Sequence, residues 1–212
     1  ASLERGSEHP LADAILRAAK DRNLTLSEAK DFDSPVGKGV LGTVEGKRLV
    51  LGGARLMTEQ GVDMAPLEAE AEGLRREGAT AIFATVDGKL AGLLGISDPI
   101  KATTADAVRA LKADGVRIVM MTGDNRTTAL AVAKRLGIDE IEAEVLPEDK
   151  AKVVQKLRAE GRSVAMAGDG VNDAPALAAA EVGIAMGAGS DVAIESAGVT
   201  LLKGDLQGIV RG

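Results

Sequence analysis

Apolar residues Leu11, Ala14, Ile15 and Ala18 recur at i, i+3, i+4 and i+7, the stripe of a helix that buries one face. With Pro10 suited to a first helical position, the pattern predicts a helix over 10–22. After Asp33-Ser34-Pro35 the period changes. β-rich runs at 40–44 and 48–51 flank Glu45-Gly46-Lys47, and runs at 80–86 and 89–96 flank Asp87-Gly88. Both read as strand pairs joined by tight turns. Helical patterns at 54–60 and 66–77 lie between them, so the first half is predicted to be antiparallel strands with helices, an α+β arrangement.

A different alternation starts near Ser97-Asp98-Pro99-Ile100-Lys101, where a boundary between domains 1–96 and 97–212 is expected. Helices are predicted over 104–113, 127–136, 148–160, 174–180 and 191–196. Between and after them come short apolar strands over 118–121, 142–145, 164–167, 183–185 and 199–202. Such alternation specifies an α/β fold, a Rossmann-like parallel sheet with helices on both faces. Sheets of that kind bind ligands beyond the carboxyl ends of their strands. The chemistry is therefore expected just after Met121 and Ala167.

Composition narrows the choices. With 45% hydrophobic residues an ordinary core is expected, and no run approaches the roughly 18 consecutive apolar residues that a membrane span needs. The start, Ala1-Ser2-Leu3-Glu4-Arg5, lacks the pattern of a signal peptide, so these residues are expected to form a soluble piece. Cysteine is absent and histidine occurs once, which excludes disulfides, thiolate sites and multi-histidine zinc sites. A net charge of -6, no basic runs and no Tyr or Trp argue against nucleic acid as a partner.

Beyond the strand at 118–121 stands Thr122-Gly123-Asp124-Asn125; beyond that at 164–167 stands Gly168-Asp169-Gly170-Val171-Asn172-Asp173-Ala174-Pro175. Handling a phosphoryl group takes hydroxyls or amides for its oxygens, a cation to offset charge, and carboxylates to place magnesium. Thr122 and Gly123 suit the first need, Lys150 the second, and Asp169 with Asp173 the third. Asn172 can both donate and accept. By itself Gly123-Asp124 is an ordinary turn former and Lys150 an ordinary solvated helix residue. Two carboxylates and an amide within five residues, spaced by glycine after a buried-type strand, are not explained by a turn.

These motifs resemble those of the phosphorylation domain of P-type ATPases, within the haloacid-dehalogenase superfamily. The first half narrows the resemblance, because Ser7-Glu8-His9-Pro10 is similar to the signature of the nucleotide-binding domain in the heavy-metal-transporting subfamily. Proline pushes the preceding residue into an extended conformation, so His9 is expected to project from the helix start, where its ring could meet an adenine. Gly37-Lys38-Gly39 matches the subfamily's Gly-x-Gly, and Gly52 matches the first residue of its Gly-Asn pair, with Gly53 in place of the asparagine. Glu4 stands where the family has an adenine-side glutamate; read alone it is a solvated charge. Phe32 and Phe83 are expected in the core.

The resemblance implies the cytoplasmic ATP-binding and phosphoryl-handling part of a transporter that exports copper(I) through an aspartyl-phosphate. ATP and Mg2+ would be its cofactors, Asp169 and Asp173 its metal-site residues, and Thr122, Gly123, Asp124, Lys150 and Asn172 its catalytic set. Glu4, His9, Gly37, Gly39 and Gly52 would hold the nucleotide. Its partners would be an upstream phosphorylation loop, an actuator domain and membrane helices. The family's Asp-Lys-Thr-Gly-Thr loop has no counterpart in these residues, so a fragment without its nucleophile strand, inactive alone, is expected. The stretch Glu195 to Leu206 looks closer to copper exporters than to zinc and cadmium ones. Two alternatives stay open: a phosphatase of the same superfamily, and a non-catalytic nucleotide-binding module.

Overall fold

The computed structural model describes residues 1–7, 9–35, 37–97, 99–168, 171–187, 195–201 and 205–211. Two compact units divide the chain, Ala1–Asp98 and Pro99–Gly212.

The first unit is built on one antiparallel sheet in the order β1 (Ala29–Asp33), β2 (Gly39–Val44), β3 (Lys47–Gly52), β4 (Thr80–Val86) and β5 (Lys89–Ile96). Two hairpins set its register. Glu45-Gly46 and Asp87-Gly88 all have positive φ, the backbone of two-residue turns whose twist suits the flanking strands. Lys47 joins β3, so the first turn is one residue tighter than the sequence suggests. β4 is buried on both faces: Ala81 and Phe83 enter one cluster with Val50, Leu56, Met57, Val62 and Ala71, while Ile82 enters a second with Leu3, Val40 and Leu51. Helices α2 (Ala54–Glu59) and α3 (Ala65–Arg76) supply Leu56, Met57 and Ala71 to the first cluster. A 3-10 turn at Leu3–Gly6 supplies Leu3 to the second. Helix α1 (Pro10–Asp21) buries Ala12, Ile15 and Ala19, the face that its periodicity predicts to within a residue. Phe83 is fully buried, and Phe32 packs half-buried against the second cluster.

In the second unit the order is α4 (Thr104–Ala113), β6 (Val119–Met121), α5 (Arg126–Leu136), β7 (Glu140–Glu142), α6 (Lys150–Ala159), β8 (Ala165–Gly168), α7 (Ala174–Ala179), β9 (Val182–Met186), β10 (Val199–Leu201) and α8 (Gln207–Val210). Its strand pairs among the described residues are all parallel. Among the described residues they form a pair, β6-β7, and a triplet in the order β10-β9-β8. Val108 of α4 and Ala133 of α5 meet Ile138 in a small core, with Ile118, Met120 and Ile141 against it.

Several elements differ from the sequence reading. β1 and α8 have no forerunner in it. β7 lies at Glu140–Glu142 rather than 142–145, and α6 starts at Lys150 after a 3-10 turn at Pro147–Asp149. The helix expected at 191–196 falls mostly outside the described residues. No described helix is long and apolar enough to cross a membrane.

Candidate functional site

Each unit gathers part of the expected chemistry. In the first, His9 caps α1: its backbone is extended (φ -74, ψ 139) and Nδ1 accepts from the Leu11 amide at 3.2 Å. With Nδ1 accepting, a neutral ring carries its proton on Nε2, and the residue is exposed, so a donor is left toward solvent. The His9 amide in turn donates to Ser7 Oγ at 3.2 Å. Glu4, on the 3-10 turn, is 6% exposed, which rules out the solvated-charge reading. Burial pushes its carboxyl above the ordinary range, partly offset by a hydrogen bond from Ser7 and by the fields of the amino terminus and His9. Glu4, Ser7 and His9 therefore form one polar cluster. Glu8 lies outside the described residues.

The glycines have a physical reason that the sequence reading did not supply. Gly39 and Gly52 are paired across β2 and β3. A Cβ on Gly39, at φ +144, would stand 2.1 Å from the Leu51 carbonyl oxygen; one on Gly52 would stand 2.5 Å from that of Lys38. Two backbones meet there more closely than any side chain allows, whether or not a ligand approaches. Gly37 has φ +69. Gly53, at the N-cap of α2, faces open space, so an asparagine would fit. An apolar cavity of about 330 Å³ in this unit is lined by Leu3, Val44, Leu49, Ala84 and Leu93 among others, and by none of Glu4, His9, Gly37, Gly39 or Gly52.

In the second unit the loops after β6 and β7 are laced together. The Thr122 amide donates to Glu142 O (2.9 Å), the Val145 amide to Thr122 O (3.1 Å) and the Glu144 amide to Asp124 O (3.0 Å). Thr122 Oγ1 accepts from the Asp124 amide at 3.1 Å and lies 3.2 Å from Asp124 Oδ2, so the loop holds its own hydroxyl and carboxylate together. Gly123 is exposed; a Cβ there would meet only Val145 O, at 3.5 Å. Asn125 caps α5 through Oδ1 to the Thr127 amide at 2.9 Å.

At the end of β8, Lys150 Nζ donates to Asp173 Oδ1 at 2.5 Å, joining the first residue of α6 to the residue that precedes α7. Asp173 is buried at 7% exposure. Its carboxylate lies against Gly168, where a Cβ would approach Asp173 Cγ and Oδ2 to 2.8 Å. That glycine makes room for the carboxylate at the strand end. Asn172 is exposed on the 3-10 turn Val171–Asp173. Asp169 and Gly170 lie outside the described residues. No group of three or more possible metal ligands gathers among the described residues. Magnesium needs no such group, since it keeps waters and takes one or two carboxylates beside substrate phosphates. The donors at this strand end, carboxylate oxygens without sulfur, suit that hard ion.

A family model for haloacid dehalogenase-like hydrolases matches residues 1–181. The chain is 57% identical over 206 residues to a silver-exporting P-type ATPase of Salmonella typhimurium, covering 97% of this chain. It is 56% identical over 211 residues to a copper-transporting P-type ATPase of Rhizobium leguminosarum bv. viciae, covering all of it. It spans about a quarter of the length of those relatives, 25% of each. Among solved structures, the catalytic domain of the CPx-ATPase CopB-B is similar at TM-score 0.75 and 30% identity, over 99% of this chain and 75% of that one. A zinc-transporting PIB-type ATPase is similar at TM-score 0.64 and 38% identity, over 99% of this chain and 34% of that one.

Proposed function

Because the chain belongs to the haloacid dehalogenase-like hydrolases, in the branch formed by the catalytic domains of CPx-type P-type ATPases, we propose that it binds ATP in its first unit and handles the transferred phosphoryl group in its second. The whole protein would export copper(I) across a membrane through an aspartyl-phosphate, working with an actuator domain and membrane helices and with this part on the cytoplasmic face. Copper is favoured by the identity to copper and silver exporters. The observation that carries the proposal is the strand end at Gly168, where Lys150 and a buried Asp173 meet.

In the first unit, His9 would offer Nε2–H to the adenine from its place at the helix start, and the Glu4–Ser7 pair would hold that end of the chain in position. Gly37, Gly39 and Gly52 keep the neighbouring backbone bare. In the second unit, Thr122 and Gly123 would hold phosphoryl oxygens, and Asp124 would keep the Thr122 hydroxyl oriented. Lys150 would neutralise charge on the phosphoryl group, and Asn172 would order the group or its attacking water. Asp173 and Asp169 would hold Mg2+, which when bound supplies charge neutralisation to the phosphates. Division of the parallel strands into a pair and a triplet supports a reading in which a further strand, bearing the nucleophilic aspartate, belongs between β6 and β8.

The test joins an Asp-Lys-Thr-Gly-Thr segment to the chain, incubates with γ-labelled ATP and magnesium, and quenches in acid. A hydroxylamine-sensitive label is expected, reduced about a hundredfold or more in rate by Lys150→Ala and absent when the added aspartate is alanine. The 212-residue chain alone takes no label. Hydrolysis of simple phosphomonoesters without any ATP-dependent label would instead favour a phosphatase.

A further inference from the structure

Lys38 carries the one side chain in Gly37-Lys38-Gly39, and its backbone is pinned. Its amide donates to Pro35 O at 3.1 Å, and its carbonyl oxygen fills the space beside Gly52. The stem therefore leaves from a fixed point at the glycine pair. Its Nζ sits 3.0 and 2.8 Å from the two carboxylate oxygens of Glu59, at the end of α2. One turn earlier on α2, Arg55 brings Nε to 3.4 Å from the same carboxylate. Two cations thus share one anion, leaving net positive charge beside the bare backbone at Gly39 and Gly52. The hydrogen bond from Lys38 holds the Glu59 carboxyl below its usual range, against the opposing effect of burial, so the pair is intact at neutral pH. Lys38 and Glu59 are 31% and 40% exposed, and ion pairs this open to water are weak. An anion of higher charge can therefore displace Glu59.

From this arrangement we infer that Lys38 and Arg55 form a seat for the polyphosphate tail of a nucleotide, and that Glu59 occupies the seat when no nucleotide is bound. This rests on the reading of the first unit as a nucleotide site. It adds the end that recognises phosphate, which His9 and Glu4 do not supply. The carboxylate acts as an internal competitor: it keeps the lysine oriented at the glycine pair and lowers affinity for phosphates by the cost of its displacement.

The experiment titrates the 212-residue chain with ATP and with adenosine by calorimetry at low salt. Lys38→Met, which keeps the stem and removes the charge, is expected to weaken ATP about five- to tenfold and leave adenosine unchanged, while Lys38→Arg retains most of the ATP affinity. Glu59→Gln is expected to tighten ATP about threefold without affecting adenosine, and both effects shrink as salt rises to about 0.5 M. Adenosine binding that persists while neither variant alters ATP affinity overturns the phosphate seat and leaves the nucleotide reading standing. If the parent chain binds neither compound saturably, the nucleotide reading fails and the seat with it.

Discussion

The candidate residues of the first unit lie on the margin of a continuous sheet, and those of the second lie on loops between short strands. In the first, five strands of five to eight residues share one ladder, with a buried cluster on each face. Parallel strands of three to five residues make up the second, as a pair and a triplet among the described residues, with Val108, Ala133 and Ile138 forming a buried apolar cluster beside β6 and β7. Val116, Leu130, Val182 and Val199 of the second unit are large apolar residues left exposed. A nucleotide site can rest on a rigid platform that needs nothing further. Phosphoryl chemistry needs groups from several strand ends at once, and the candidate residues of the second unit are tied by loop hydrogen bonds and by the Lys150–Asp173 pair.

The largest effect should come from the platform. Phe83→Ala empties a fully buried ring from the centre of β4 and removes the face on which Arg75 lies 5.9 Å away. It is expected to cost about 3–5 kcal/mol, read as loss of the β3 and β4 amide resonances at a lower urea concentration. A cost well under 1 kcal/mol would mean that the sheet is not the rigid element described.

Next is the strand end of the second unit. Gly168→Ala forces a Cβ to within 2.8 Å of the Asp173 carboxylate, so Asp173 must shift or the strand must bend, at about 1–3 kcal/mol. Urea denaturation followed at α6 and α7 resonances measures this. A variant as stable as the parent, with the Lys150 and Asp173 resonances unmoved, would contradict the packing account.

The pattern of success and failure in reading the sequence follows the same division. Helices and hairpins of the first unit were legible because their signals are local: a stripe in α1, and Asp87-Gly88 between two β-rich runs. β1 was not, because Ala29-Lys30-Asp31-Phe32-Asp33 is a polar edge strand with a register shift and an Asp31 at φ +51, so nothing alternates. In the second unit Glu140 to Val145 alternates over six residues, and either half reads as a strand. Pairing of Val119 with Glu140 and a positive φ at Glu144 select the first half. The acid-rich loops were legible as chemistry. The closure of Lys150 on Asp173, 23 residues apart, and of Lys38 on Glu59, 21 apart, left no local trace.

A smaller test sharpens the electrostatics of the first unit. Glu4 has its carboxyl raised on folding from an ordinary value of 4.5, mainly by burial. Between its unfolded and folded values the folded chain binds more protons, so this group favours the fold most at low pH and the benefit falls as pH rises through the folded value. Glu4→Gln should therefore flatten the decline in melting temperature between pH 4 and 7 and melt higher than the parent at pH 7. An unchanged slope would mean that the carboxyl is not buried in solution. Smallest of all, Gly53→Asn places a better N-cap in open space on α2 and should stabilise by a few tenths of a kcal/mol, checked by the same melting curves.

The proposal about the first unit depends on the polar cluster at the start of α1 and the glycines of β2 and β3 holding one nucleotide. Titration of ATP into the labelled 212-residue chain, followed by amide NMR, tests it directly. Saturable shifts are expected at Glu4 to Leu11, Gly37 to Gly39 and Gly52, and they should be lost in His9→Ala while its circular dichroism is unchanged. If His9→Ala binds ATP as well as the parent, or the shifts gather around the cavity at Leu49, Ala84 and Leu93 instead, the nucleotide site has been assigned to the wrong residues.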